Sequence, residues 1–191
     1  VRLHVGMHVT VSVDEIERWL VDYSELLAAL WEESSLRHIA MTSQTDDPAR
    51  EASYQQFVQE IMERCKPLMD AMERAYLENP NRDQLPTERY ELLNRKTKAH
   101  VDLYREQNVQ LETEEELLAK DYYKIMGAIT VPVNGKDLTP DQALKFLEEP
   151  DRPLRQRVWE QIAARCLKDK EEVEGIFDQL VALRTRIAAN A

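Results

Sequence analysis

Glycine is scarce in this chain, with four in 191 residues, and aromatic residues make up only 7%. An all-β fold needs frequent turn glycines and strand-prone aromatics, so this composition favours helix. Cysteine is nearly absent. Cys65 and Cys166 fall at apolar positions of helical patterns and are too few for a disulfide framework or a metal knuckle. That scarcity points to a reducing compartment, the cytoplasm. Positive charge is also short: 25 Lys and Arg against 36 Asp and Glu leave a net charge of −11. Such a surface repels phosphate backbones and anionic lipid, which disfavours nucleic-acid and membrane partners. No apolar run reaches membrane-spanning length, and the N-terminus lacks the charged-then-apolar layout of a signal peptide. What is present is 43% hydrophobic and 32% charged residues, enough for a sizeable core under long solvated helices.

Residues 1–13, VRLHVGMHVTVSV, alternate apolar and polar and are rich in Val, the pattern of a strand. Ser12 and Glu15 then form a capping box for a helix over 14–40, carried by Ile16, Trp19, Leu20, Tyr23, Leu27, Leu30 and Trp31. A loop is expected over 41–48. A second long helical pattern runs from Tyr54 to Tyr76, with Pro67 inside it expected to kink or split the helix. A third helix begins near Pro86 and stops around Asn108. A fourth is expected to open with the box Thr113-x-x-Glu116 and to end at Gly127 in a left-handed cap.

The clearest local signal follows. Residues 128–133 are strand-prone, Asn134-Gly135 is the preferred two-residue hairpin turn, and 136–138 return. Thr139-Pro140 and Asp151 with Pro153 are cap-then-proline starts for two more helices. The last helix, from about Asp169, places Val173, Ile176, Phe177, Leu180, Val181, Ile187 and Ala188 on one stripe, which runs to the terminus without a stop signal. No repeat of fixed period is present.

Few residues look chemical. His4 and His8 share a face of a strand or helix, and a two-His metal pair is conceivable there, but no third ligand is near in sequence. The simpler reading is the wet side of a half-exposed strand. His38 and His100 sit beside apolar helix positions with no Ser or Cys nucleophile motif. The acid runs at Glu32-Glu33, Asp46-Asp47 and Glu112 to Glu116 lack the glycine and alternating oxygen ligands of a calcium loop and read as solvated faces. Arg184 lies on the apolar stripe of the last helix. A buried arginine there needs a carboxylate, for which Asp151 or a group beyond residue 191 is the expected partner; binding a substrate is the alternative role.

Several segments, in order, resemble one family: IERWLVDYSELLAAL, IAMTSQTDD, YREQNVQLETEEE, DYYKIMGAITVPVNGKDLTPDQALKFLEEPDRPLRQRVW and IFDQLVALRTRIAANA. Together they are similar to the zinc oligoendopeptidases of the oligoendopeptidase F type, relatives of thimet oligopeptidase. The resemblance spans about 16–191. It implies a mostly helical N-terminal lobe over a deep channel, whose other wall holds zinc on the two His of His-Glu-x-x-His and a downstream Glu. The motif Glu would act as general base on a zinc-bound water, cleaving short peptides. No His here is followed by Glu, so no catalytic or metal-binding residue carries over. In the family a Gly-Phe pair and further helices would follow the AANA ending.

The expected fold is therefore mostly α, an elongated lobe of antiparallel helices with one small hairpin at about 128–138 and an N-terminal strand. Its expected divisions are the strand-like 1–13, a helical lobe over 14–126, and 127–191 as the hairpin plus the start of a peptidase domain that stops before the zinc motif. The expected function is the peptide-confining lobe of a cytoplasmic zinc oligoendopeptidase, inactive alone, whose partners are short peptides and the remainder of the catalytic domain. Zinc belongs to the intact enzyme and has no ligands here. The hairpin, through Thr130, Val131, Asn134 and Gly135, is the element expected near the channel, because a strand edge can pair with an extended peptide. A non-catalytic helical protein-interaction module is the alternative.

Overall fold

Ser12 and Glu15 cap the first helix as their spacing predicts: the Glu15 N–H donates to Ser12 Oγ at 3.4 Å, and the Ser12 N–H to Glu15 Oε2 at 2.8 Å. The computed structural model describes residues 12–191. The strand expected over 1–13, and with it His4 and His8, lies outside the described residues except for Ser12 and Val13, and Val13 is already helical.

Helix α1 (Val13–Ser43) runs past its expected end. Hydroxyls hold the extra turn, Thr42 donating to the His38 carbonyl at 2.9 Å and Ser43 to the Ile39 carbonyl at 2.7 Å. The loop expected over 41–48 thus shrinks to residues 44–47, of which Asp47 caps α2 (Pro48–Phe57). Pro67 neither splits nor ends the next helix. A π turn over Val58–Met62, where the Glu63 N–H reaches the Val58 carbonyl, joins α2 to α3 (Glu63–Leu77). Pro67 lies inside α3, past this widened turn, and the helix continues through it to Leu77.

A 3₁₀ turn (Arg82–Gln84) leads to α4 (Thr87–Leu103), and α5 is Asn108–Gly127. The expected capping box at Thr113 is corrected here. Thr113 is buried within α5 and donates to the Val109 carbonyl at 3.0 Å. The helix starts five residues earlier because Asn108, 2% exposed, is fixed by the far end of the last helix: its Nδ2 donates to the Ile187 carbonyl at 3.1 Å and its Oδ1 accepts from Asn190 at 2.6 Å. Gly127 ends α5 without a left-handed cap, since positive φ among the described residues occurs only at Asn134 and Gly135. Its lack of a side chain serves packing instead: a Cβ there would lie 2.8 Å from Thr45 Cγ2.

The hairpin pairs β1 (Val131–Val133) with β2 (Lys136–Leu138), so Ala128 to Thr130 lie outside the ladder. Helix α6 (Pro140–Leu144) carries a full Thr139–Gln142 capping box, and a 3₁₀ turn (Lys145–Glu148) follows. Then come α7 (Arg152–Lys168), capped by Asp151, and α8 (Lys170–Asn190).

Cross-helix contacts set the directions. Arg37 meets Ser53, Tyr76 meets Asn94, Tyr54 meets Glu116, and Arg184 meets Glu115. These bring α1 against α2, α3 against α4, α2 against α5 and α5 against α8, each pair antiparallel. Three apolar clusters result: Ile16, Tyr76, Leu85 and Tyr90 beneath α1, α3 and α4; Met41, Tyr54 and Val58 between α1 and α2; and Val131, Val133, Ala143 and Val158, where the hairpin packs on α6 and α7. No helix of the described residues is long and apolar enough to cross a membrane.

Candidate functional site

The hairpin's register decides what it can offer a ligand. Val131 opposes Leu138, Pro132 opposes Asp137 and Val133 opposes Lys136 around the Asn134-Gly135 turn, whose φ values of 52° and 78° make it the type I′ form. In such a ladder the turn-flanking pair exchanges hydrogen bonds, and the next pair points its backbone groups outward. The outer edge of β1 therefore presents Pro132, which has no N–H, while that of β2 presents the N–H and carbonyl of Asp137. Proline on an edge blocks strand addition on that side. Of the expected channel residues, Thr130, Asn134 and Gly135 are exposed, whereas Val131 is fully buried against α6 and α7. The Val131 side chain is committed to the core and cannot touch a peptide.

Arg184 and Asp151 are not partners. Arg184 Nε donates to Glu115 Oε1 on α5 at 2.6 Å, and Asp151 accepts the Leu154 N–H at 3.3 Å as the α7 cap. Arg184 is exposed rather than buried: on its stripe Ile176 and Leu180 are buried, Val173 and Ile187 are half-buried, and Phe177 and Val181 face outward. Phe177, Tyr123 and Arg184 line a groove of about 310 Å³ between α5 and α8. Cys166 is exposed and Cys65 half-buried, so the apolar role expected of Cys166 does not hold.

His38 packs edge-on against Tyr54 and Tyr123, 5.4 Å from each ring. His100 Nδ1 lies 3.6 Å from the Glu73 carboxylate. Burial raises the Glu73 carboxyl above its ordinary value, against the opposing pull of His100. Burial and the neighbouring Glu73 push the Tyr23 hydroxyl up to about 12. Trp19 Nε1, Tyr23 Oη, Asp70 Oδ1 and Tyr104 Oη are all buried nearby without a hydrogen-bond partner in the protein. Among the described residues no group of three or more His, Cys, Asp or Glu is arranged to hold a metal ion.

One charge cluster was not legible in sequence order. Lys120, 8% exposed, is held by Glu51 at 2.8 Å and Asp121 at 3.1 Å, and Lys124 reaches the other Glu51 oxygen at 2.6 Å. The hydrogen bond from Lys120, followed by that from Lys124, holds the Glu51 carboxyl below its ordinary value of 4.5. A depressed carboxyl stabilises the fold above its unfolded-state pKa and loses that contribution as pH falls through the folded one. Glu51→Gln is therefore expected to cost about 1–2 kcal/mol at pH 7. The gap to the parent in urea midpoints should close below about pH 4; a gap that stays constant down to pH 3 would refute the assignment.

The family profile described as the peptidase M3 N-terminal domain matches residues 4–104. Among solved structures, PZ peptidase A with an inhibitor is similar at 26% identity and a TM-score of 0.83, over 94% of this chain and 32% of that one. An oligoendopeptidase F matches at 26% identity and 0.83, over 93% and 31%. A second, from Bacillus anthracis, shares the fold at 20% identity and 0.84, over 94% and 33%. The chain thus spans about a third of the length of the structures it matches. No curated protein sequence matches it significantly.

Proposed function

The chain belongs to the peptidase M3 N-terminal domain family, and from that premise we propose that it is the helical lobe of a zinc-dependent oligoendopeptidase, confining short peptides against a catalytic domain. The observation that carries this reading is the whole-chain likeness to one third of PZ peptidase A and oligoendopeptidase F. Among the described residues no group is arranged to hold a metal ion, so this reading puts the zinc and its general base in other parts of such an enzyme. The lobe's contribution is geometric: a wall that excludes water and folded proteins while an extended peptide is held. The hairpin lies near that channel, and the peptide pairs with the free edge of β2 at Asp137, because Pro132 closes the edge of β1.

The test is the native protein, captured from its source with an antibody to this segment. A mass well above 22.3 kDa with stoichiometric zinc is expected. A zinc-free native protein of that mass would replace the reading with a helical interaction module. In the native enzyme, Asp137→Pro removes an outward N–H without touching the ladder, so KM for a short peptide should rise several-fold with the fold unchanged. An unaltered KM would remove the hairpin from the channel.

A further inference from the structure

Helix α7 inverts the charge of the molecule. It carries Arg152, Arg155, Arg157, Arg165 and Lys168 against the single acid Glu160, in a chain of net charge −11. Arg165 is neutralised by Asp169. Arg155 is held by uncharged groups, donating to the Glu149 and Pro150 carbonyls at 2.6 and 3.0 Å, so its charge remains available. Arg152, Arg155, Gln156 and Trp159 lie on one face at spacings of three and four. With Leu147 and Glu160 they line an open groove of about 530 Å³. Trp159 is 62% exposed, a large amphipathic side chain one turn beyond Arg155 on the same face. Exposed Trp beside Arg is the composition of an interaction hot spot.

We propose that this face of α7 docks a short acidic protein segment carrying an apolar residue, its carboxylates on Arg152 and Arg155 and its apolar side chain on Trp159 and Leu147. Charge complementarity selects the partner, since Arg152 and Arg155 stand together on this face, against Glu160 alone, in a chain that is acidic overall. The neighbours limit its length. Glu148 and Glu149 precede the helix, and Asp169, Glu171 and Glu172 follow it. The helix spans about 25 Å, so a long polyanion would run onto like charge at both ends. A segment of roughly eight residues, which spans about that distance when extended, would not.

The experiment titrates the full 191-residue chain at low salt with an acetylated, amidated octapeptide of seven glutamates and one central leucine, read by the indole N–H signals of its three tryptophans. The Trp159 signal, assigned with Trp159→Phe, should shift saturably while those of Trp19 and Trp31 stay in place. Arg152→Gln, an exposed site whose loss leaves the core untouched, should weaken binding about tenfold. Arg95→Gln, which removes an exposed cation from α4, should change it by less than about twofold. No saturable Trp159 shift, or equal weakening by both substitutions, would overturn the proposal. So would binding of octathymidylate as tight as that of the peptide, which would make the strip a nucleic-acid contact.

Discussion

Tyr76→Ala is expected to destabilise the lobe by about 3–5 kcal/mol, the range for emptying a fully buried aromatic site. Tyr76 is 1% exposed and packs with Ile16, Leu85 and Tyr90 where α1, α3 and α4 converge. The Trp19 ring lies nearly parallel to it at 6.3 Å. Nothing nearby can collapse into the space, because the three helices around it are held by contacts elsewhere along their lengths. For a chain of this size the loss should lower Tm by about 10 °C and move the urea midpoint without changing the slope. Tyr76→Phe separates the ring from the hydroxyl. The hydroxyl donates to Asn94 Oδ1 at 2.6 Å, so its removal should cost only about 1 kcal/mol. Similar losses for the two variants would mean that hydrogen bonding, not packing, holds this junction.

Val131→Asp is the second large effect. Val131 is fully buried in the cluster with Val133, Ala143 and Val158, and that cluster offers no cation to an introduced carboxylate. Burying an unpaired charge or forcing its protonation costs about 4 kcal/mol or more. The adjacent Thr130→Asp, on an exposed residue outside the ladder, should change stability by less than about 0.5 kcal/mol. The hairpin, α6 and α7 share their own apolar cluster. Hydrogen exchange on the Val131→Asp protein should therefore show protection lost over 129–162 and kept in α1, α3 and α4. Uniform loss across the chain would mean that hairpin and bundle unfold as one unit.

The local signals that held are those whose chemistry closes within a few residues. Ser12 with Glu15, Thr139 before Pro140, Asp151 before Pro153 and the Asn134-Gly135 turn each complete their hydrogen bonds or set their dihedrals without help from elsewhere. Thr113-x-x-Glu116 has the same letters as a cap and is not one. Asn108 is clamped by Ile187 and Asn190, some eighty residues away, and that contact starts α5 a turn early and buries Thr113 inside it. Pro67 failed as a breaker because α3, packed against α4 and α5, continues through it to Leu77, and that packing outweighs a local preference.

Candidate functional residues divide the same way. The hairpin was visible as a turn signal, but which of its edges is usable depends on register, and register puts Pro132 on the outside of β1. Arg184 was visible as a cation on an apolar stripe. Its partner Glu115 lies 69 positions back and emerges only when α5 and α8 lie antiparallel. The Glu51–Lys120–Lys124 cluster left no mark in the sequence, because charges at these positions look like any solvated helix face until α2 and α5 pack.

By itself, then, the sequence determined the helical class, most helix starts, the hairpin turn and the family, since these rest on periodicity, on caps that bond within one turn, and on ordered segments of local sequence. Only the tertiary structure decided where α5 begins, that Pro67 stays inside a helix, which carboxylate meets Arg184 and which hairpin edge stays open. Each of those depends on groups far apart in sequence, whose packing and desolvation energies exceed the few tenths of a kcal/mol by which local propensities typically differ.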